Sequence, residues 1–520
     1  MDISLYGLAD AVCKYCEYLQ ELIHEVNPTC YSMPATSDSA RLRSLYPSPK
    51  HVQQSLLKRL YPNGIPRSTV EQFHKYSTID TPQQCWHIAS TESLLKELCP
   101  WDSKCVSIAT PVLHQVLLHH SVWPFKPDKT TTLTLEGLAV AIALIIGGDQ
   151  PYISLEERRT NYAIRERPRN CLDRYRLLFQ SLCSSSIWEE MSTNNHREES
   201  DDEDLVAVLY NTMPQPQKQS RQRFLPVAAM LPSSYSHRLT GRVRVQAVEA
   251  LVELLSAIAI GDQRDSKIIK IHGETDNIIR SITEWLSMLE TGLDWKQFCT
   301  LIEMSTPFLL AQLANTIWRC FPDHQCGSPD FQRFGMIPPA VATTISRRKD
   351  NSLSLHHLTQ LSLVAPDLIL TKLVLLAHGT PTELSCQTIW RLITERSAGR
   401  LLYIHGTTEH GPLDLVLCLY PSCLLKDDRV ASDPFVDVLL PLGAYTDCLV
   451  QFYPTHRVLK GSFTQARIDY QSIGALSVHL GGTSIWFDDG LEKGVMYTSN
   501  TPVLSFTSTI VEIWGKSELF

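Results

Sequence analysis

The sequence lacks features that would place it across a membrane or along a nucleic acid. Its longest apolar run, Leu135–Ile146, contains only 12 residues, whereas a transmembrane helix needs about 20. The formal net charge is −8 over 520 residues, and this mildly acidic balance argues against a chain-wide surface for phosphates or anionic lipids. We therefore expect no membrane span and no direct nucleic-acid binding.

Catalytic signatures are also missing. The chain contains no G-x-S-x-G elbow, no Walker A or G-x-G-x-x-G loop, no H-E-x-x-H pair and no EF-hand ligand string. These patterns mark many of the known nucleophilic, phosphate-binding and metal-binding sites. We therefore predict a protein that is not an enzyme, with no cofactor and no bound metal.

Cysteine is plentiful but scattered. The 15 cysteines are odd in number and show no spacing typical of a disulfide framework. The segment Met1–Tyr6 has no basic residues of the kind that open a secretory leader. Reduced thiols in a cytoplasmic protein are the expected state.

The helical period dominates the earlier part of the chain. Residues 4–26 and 133–146 show the apolar spacing of helices, and the pattern resumes at 243–260 and 295–320. Pro307 should bend or divide the last of these. No internal repeat is evident.

A polar segment separates the helical stretches. Glu198–Asp204 contains six acids in seven residues, and a Gln-, Pro-, Lys- and Arg-rich segment follows at 214–223. Like charges repel and little can be buried, so we expect 191–224 to be a disordered linker.

After about residue 400, short apolar runs alternate with Gly, Pro, Asp and Asn, which is typical of the strands and turns of a β-sandwich. The predicted fold class is therefore α+β. Its parts are a helical region over 1–190, the linker over 191–224, a helical middle region over 225–350 and a β-rich domain with flanking helices over 351–520.

Two cysteine–histidine groupings could supply metal ligands. They comprise Cys13, Cys16, His24 and Cys30 near the start of the chain, and Cys320, His324 and Cys326 further on. The first grouping falls within a helical pattern and the second offers only three local ligands. Packed structural positions are the favoured interpretation of both.

Two other segments contain residues that could take part in catalysis or cation binding. His378-Gly379 follows an apolar run and could form an oxyanion hole, but without a nucleophile motif a simple turn is favoured. Asp488, Asp489 and Glu492 place three carboxylates close together. They could bind a cation or act as acid and base, and a solvated turn is the alternative.

The densest basic region is interleaved with acids. Its arginines are Arg158, Arg159, Arg165, Arg167, Arg169, Arg174 and Arg176. These side chains could engage phosphates or an acidic partner, but neighbouring Glu and Asp residues dilute the charge and favour a solvated helix surface. They could also pair with the acidic segment Glu198–Asp204.

Two C-terminal segments carry a more specific pattern. Residues 475–494 read ALSVHLGGTSIWFDDGLEKG, and residues 506–515 read FTSTIVEIWG. A Gly-rich turn, an apolar strand, an Asp, a Leu-x-x-Gly turn and a closing Glu-hydrophobic-Trp-Gly occur in this order, which resembles the closing signature of the TLDc domain. The matching residues are Gly481, Gly482, Trp486, Asp488, Leu491, Gly494, Phe506, Glu512, Trp514 and Gly515.

Upstream segments extend the resemblance. Arg400–Gly411 (RLLYIHGTTEHG) and Val450–Ser462 (VQFYPTHRVLKGS) are similar to the fungal branch of TLDc proteins called the restriction of telomere capping protein 5 family. Two departures stand out. The Trp that usually follows Gly-Ala-Tyr is absent after Tyr445, and residues 507–509 are Thr-Ser-Thr where acids are common.

The residue types of this signature indicate a mainly structural role. Gly482 and Gly494 suit turns with positive φ, while Trp486 and Trp514 suit a sandwich core. Glu512 lies on the same side of its strand as Trp514 and must be partnered if it is buried. The expected exposed set, and the candidate partner-binding residues, are Asp488, Asp489, Glu492 and Lys493.

The resemblance implies a non-catalytic interaction protein. TLDc proteins are associated with binding the vacuolar proton-pumping ATPase and with resistance to oxidative stress. The expected partner is the peripheral sector of that pump, and the expected location is cytoplasmic with peripheral association at the vacuolar membrane. Two alternatives stay open: an adaptor that influences telomere capping, and a metal- or thiol-dependent enzyme.

Overall fold

A computed structural model describes the chain from residue 42 onward, with gaps. The described residues are 42–80, 83–125, 132–146, 171–183, 203–213, 224–232, 241–260, 292–323, 337, 345, 353–365, 368, 373–394, 399–420, 447–453, 457–460, 467–470, 474–480, 482–499 and 501–516. Within these ranges no helix has both the length and the apolar character that crossing a membrane requires. The helix predicted over 4–26 and the grouping from Cys13 to Cys30 lie outside the described residues.

Helices dominate the described residues as far as position 320. They are α1 (Pro49–Leu60), α2 (Arg67–Tyr76), α3 (Ile88–Leu98), α4 (Ser103–Ser121), α5 (Leu135–Ile146), α6 (Cys171–Leu182), α7 (Glu203–Thr212), α8 (Leu225–Ala228), α9 (Val245–Ile260), α10 (Trp295–Ser305) and α11 (Leu309–Cys320). A short hairpin of β1 (Thr78–Asp80) and β2 (Gln83–Cys85) interrupts them. The helix predicted over 133–146 is confirmed as α5, and Pro307 lies between α10 and α11, as predicted.

The helical region contains a recurring unit that the sequence pattern did not reveal. In each unit one residue forms an antiparallel bridge and a helix begins two residues later. The bridged residues are Trp86, Leu133, Val243 and Leu293, followed by α3, α5, α9 and α10. Trp86 pairs with Leu133, and Val243 with Leu293, through two backbone hydrogen bonds of 2.9 Å in each pair. This recurrence lies in backbone pairing, and the absence of an internal repeat in the sequence stays a prediction.

The segment 191–224 contains a packed helix, which corrects the linker prediction. Helix α7 buries its apolar face in the helical core, and its Asp204 accepts two hydrogen bonds of 3.0 Å from Nη2 of Arg176. The indole N–H of Trp123 donates a third, at 3.2 Å. The acidic run therefore ends in a buried ion pair, and the pairing proposed between the arginine-rich and acidic segments is confirmed at this position. The arginines from 158 to 169 lie outside the described residues.

The remaining elements belong to the C-terminal part. They are α12 (Leu355–Ser362), β3 (Leu373–Gly379), α13 (Cys386–Thr394), β4 (Arg400–Thr408), β5 (Gly411–Leu419), β6 (Cys448–Tyr453), β7 (Arg457–Lys460), β8 (Arg467–Tyr470), β9 (Leu476–Leu480), β10 (Thr483–Phe487), β11 (Lys493–Thr498) and β12 (Thr501–Lys516). This combination of a helical region with a large antiparallel sheet confirms the α+β class.

Strands β3 to β12 form one antiparallel sheet of ten strands in the described part of the chain. Its order is β7-β6-β5-β4-β12-β11-β10-β9-β8, and β3 also pairs with β12. The long strand β12 joins two halves, because its first part pairs with β11 and its second part lies between β4 and β3. Side chains such as Leu402 and Leu415 from one half share a hydrophobic cluster with Val478 and Ile485 from the other. The two halves therefore enclose a common core.

Helix α12 links the sheet to the helical region. Its Leu361 shares a hydrophobic cluster with Val416 on the opposite face of β5. On its other side, the side-chain amide of Gln312 donates to the Ser362 carbonyl at 2.8 Å. A sheet face and a helix bundle are thus both covered by one eight-residue helix.

Candidate functional site

A buried carboxylate lies in β12, at the centre of the sheet. Glu512 is 0% exposed, and its Oε2 accepts hydrogen bonds from the Trp514 indole N–H at 2.9 Å and the Leu353 backbone N–H at 3.2 Å. Its Oε1 lies 3.1 Å from Nδ1 of His378 on β3. These four residues form what we call the Glu512 node. The expectation that a buried Glu512 must have partners is confirmed, and His378 belongs to this node.

Trp514 has the core position that the sequence predicts. Its side chain is 0% exposed and packs in the cluster between the sheet and α12. Beside it, a Cβ at Gly515 would lie 2.9 Å from Nη1 of the buried Arg400. The Trp-Gly pair therefore allows β12 to pack closely against its neighbours.

Trp486 has a different position from the predicted one. Strand β10 points Ile485 and Phe487 into the core, so Trp486 between them faces outward and is half-exposed. With His479 and Tyr497 on the neighbouring strands, it lines a shallow cleft of about 350 Å³. The prediction that Trp486 lies in the core is therefore wrong. Successive residues of a strand point to opposite faces, and Ile485 and Phe487 already point into the core.

Close packing explains one signature glycine. A Cβ at Gly494 would lie 2.1 Å from the ring of Phe506, which is buried. At Gly482 the nearest contact would be the Ser499 hydroxyl at 3.1 Å. Neither Gly482 nor Gly494 has a positive φ, which corrects the prediction of turn conformations there. Gly481 lies outside the described residues.

The connection between β10 and β11 is a tightly bonded turn. Asp488 donates its backbone N–H to the Lys493 carbonyl at 3.0 Å, and its carboxylate accepts the Lys493 N–H at 3.1 Å. Leu491 has a φ of 57° and is 1% exposed, so a non-glycine residue holds the left-handed conformation while its side chain anchors the turn. Ser508 on β12 donates its hydroxyl to the Leu491 carbonyl.

This turn presents three charged side chains to solvent. Asp489, Glu492 and Lys493 are exposed, whereas Asp488 is half-buried and bonded within the turn. Among the described residues, no group of three His, Cys, Asp or Glu side chains is arranged to hold a metal ion. We name the exposed trio the β10–β11 turn surface.

A polar cluster beneath α12 was missed by the sequence analysis. Asp414 on β5 accepts hydrogen bonds from the Tyr403 hydroxyl and from Nδ1 of His405, both at 2.7 Å. His357 of α12 lies 4.0 Å away through its Nε2. Only the register between β4 and β5, which places His405 opposite Asp414, brings these residues together. Nothing in their sequence spacing signals it.

Burial shifts the pKa values in this cluster. Desolvation lowers the pKa of the His357 imidazole from 6.5 to about 4. Burial alone would raise the pKa of Asp414, but the hydrogen bond from His405, the nearby His357 and the hydroxyl of Tyr403 together hold it below its usual value. A neutral imidazole and a charged carboxylate are therefore the stable forms at neutral pH.

The buried thiols are not activated. Burial raises the pKa of Cys99, Cys183 and Cys320 to about 12, and that of Cys386 to about 11. Cys320 donates its S–H to the Thr316 carbonyl at 3.2 Å, while His324 and Cys326 lie outside the described residues. Little of each thiol is therefore in the thiolate form, which is the nucleophile, so the folded structure does not activate these four cysteines.

No protein-family model and no curated protein matches this chain.

Proposed function

We propose that this chain is a non-catalytic interaction protein with a TLDc-like C-terminal domain, and that it binds the peripheral sector of the vacuolar proton-pumping ATPase. The proposal places the protein in the cytoplasm, peripherally associated with the vacuolar membrane, and links it to resistance to oxidative stress. The contact surface we propose is the β10–β11 turn surface.

The resemblance to TLDc proteins suggests the pump as partner, and the observation that supports this turn as the contact surface is its exposed charge on a well-bonded backbone. Asp489, Glu492 and Lys493 are exposed, while the buried Leu491 and the backbone bonds of Asp488 hold the turn in place. A turn whose backbone is already held in place loses little backbone entropy when a partner binds it. Its exposed charges also favour recognition by electrostatic complementarity.

The buried members of the signature support a scaffold role for that part of the resemblance. Glu512, Trp514 and Phe506 lie inside the sheet structure, where substrate or partner cannot reach them without unfolding. The half-exposed Trp486, on the outer face of β10, extends the accessible surface next to the turn. Aromatic and charged side chains together are common in protein interfaces.

Binding would act on the pump through differential affinity. A protein that prefers the separated peripheral sector over the assembled pump shifts the equilibrium toward separation by the difference between the two binding free energies. This shift of the binding equilibrium requires no chemical step and therefore no catalytic residues.

Affinity purification of the tagged full-length chain from its host, followed by mass spectrometry, tests this proposal. The expected result is recovery of the pump's peripheral subunits in near-stoichiometric amounts. Recovery of a different stable partner without those subunits would refute the assignment of the pump, and leave the interaction surface to be matched to that partner.

A further inference from the structure

Two cysteines face each other across the strand pair β5–β6. Cys418 and Cys448 are directly opposite in the antiparallel register. They are 0% and 4% exposed, and their thiols form a hydrogen bond with each other. Among the cysteines of the described residues, this is the pair that strand register places side by side.

The strand geometry fits a disulfide without rebuilding the backbone. Directly opposed residues in an antiparallel pair have Cα atoms about 4.5–5.5 Å apart, and disulfides span Cα separations of about 4.4–6.8 Å. The Cα separation of opposed strand residues therefore lies within the range that a disulfide spans.

The pair lies at the adjoining ends of β5 and β6. Next to it, the Tyr420 backbone N–H donates to the carboxylate of Asp447 at 2.8 Å, and both residues are buried. The chain from 421 to 446 starts and ends at this position. A covalent bond between Cys418 and Cys448 would fasten both ends of that connection, in addition to the existing backbone pairing.

We propose that Cys418 and Cys448 are a dithiol that a hydroperoxide oxidises, once for each protein molecule, to a reversible disulfide between β5 and β6. One thiolate attacks the peroxide oxygen, which breaks the O–O bond and gives a sulfenic acid and water. The second thiol then attacks the sulfenic sulfur and releases a second water. Both sulfurs are oxidised and one peroxide is reduced, so two thiols and hydrogen peroxide give one disulfide and two waters.

Burial controls how fast this dithiol reacts. Desolvation and the bond from Cys448 raise the pKa of Cys418 well above its usual value, so little thiolate is present in the closed strand pair. Reaction requires the strand ends to open. The dithiol should therefore oxidise slowly, over sustained exposure, and the disulfide should persist once the strands have closed over it.

The test uses the full-length protein treated with hydrogen peroxide and then digested without reduction. We expect a linked peptide in which fragmentation joins Cys418 to Cys448, a mass 2 Da below the two reduced peptides combined, and a thermal midpoint higher by roughly 5 °C. Dithiothreitol should reverse both changes.

Single variants provide the controls. Cys418→Ala and Cys448→Ala should each lose the link and the thermal shift, while Cys386→Ala and Cys423→Ala should keep them. If a variant fails to fold, the peptide map of the oxidised unmodified protein still shows whether Cys418 and Cys448 are linked. Absence of the link after prolonged oxidation of the wild-type protein, or a link from Cys448 to Cys423 in place of Cys418, would overturn the proposal.

Discussion

The helical region and the sheet each bury a carboxylate, and they satisfy it in different ways. In the helical region, Asp204 faces the guanidinium of Arg176, whose Nε and Nη1 have no hydrogen-bond partner among the described residues. In the sheet, Glu512 accepts bonds from an indole, a backbone amide and an imidazole. Asp204 also accepts the Trp123 indole N–H, but its pairing with a guanidinium leads us to expect that the first site depends mainly on the negative charge, and the second on correctly placed acceptor atoms.

The largest expected loss of stability comes from removing the charge of Asp204. Asp204→Asn keeps the shape but removes the charge, and leaves the Arg176 guanidinium buried without a counter-ion. We expect a loss of about 3–5 kcal/mol in the free energy of unfolding, measured by chemical denaturation.

The matched control is Glu512→Gln in the sheet. Its carbonyl oxygen can accept from Trp514 and Leu353, and its amide can donate to His378, which accepts in its other tautomer. The expected loss is about 1 kcal/mol. Equal losses for Asp204→Asn and Glu512→Gln would remove the distinction between the two sites.

The next prediction concerns pH and the cluster beneath α12. Burial lowers the pKa of His357 to about 4 in the folded chain. In the unfolded chain this imidazole binds a proton below about pH 6.5, whereas in the folded chain it stays neutral down to about pH 4. Stability should therefore fall as pH drops from 6.5 to 4, by up to about 3 kcal/mol from this residue. Hydrogen exchange of α12 at pH 7 and pH 5 would measure it.

His357→Gln sharpens that prediction. A Gln at this third helical position can still accept the Ser354 backbone N–H that Nδ1 of His357 accepts now, but it does not titrate. The variant should show a flatter pH dependence of α12 exchange. An unchanged slope would show that His357 is not the titrating group.

A smaller effect separates two signature glycines. Gly494→Ala places a methyl group against the Phe506 ring and should cost about 1–3 kcal/mol. Gly482→Ala meets only the end of the exposed Ser499 side chain and should cost less than about 0.5 kcal/mol. Thermal denaturation of the two variants side by side would check this, and a reversed ranking would contradict the packing explanation.

The features predictable from sequence were those carried by local pattern. The apolar run of α5 and the helix break at Pro307 needed only helical periodicity and the missing N–H of proline. The partnering of Glu512 followed from the cost of burying a charge beside Trp514. Each of these inferences uses residues close together in the chain.

The features that were missed depend on contacts between distant segments. The acidic run before α7 predicts a linker over 191–224, but the apolar face of α7 packs into the helical core. Strand alternation alone does not say which face of β10 is inside, so the sequence does not reveal that Trp486 faces outward. The His405–Asp414 bond requires the β4–β5 register, and the bridged pairs of the helical region require knowledge of the backbone path.

The most direct test of the proposed function measures affinity for the purified peripheral sector of the vacuolar ATPase. The full chain is compared with an Asp489→Ala, Glu492→Ala, Lys493→Ala variant, and with Glu409→Ala, His410→Ala, which alters an equally exposed hairpin. We predict that the first variant binds at least about tenfold more weakly, a change of about 1.4 kcal/mol, and that the second binds like the unmodified chain. Equal affinities for all three proteins, with thermal midpoints unchanged, would contradict the assignment of the β10–β11 turn surface as the contact site.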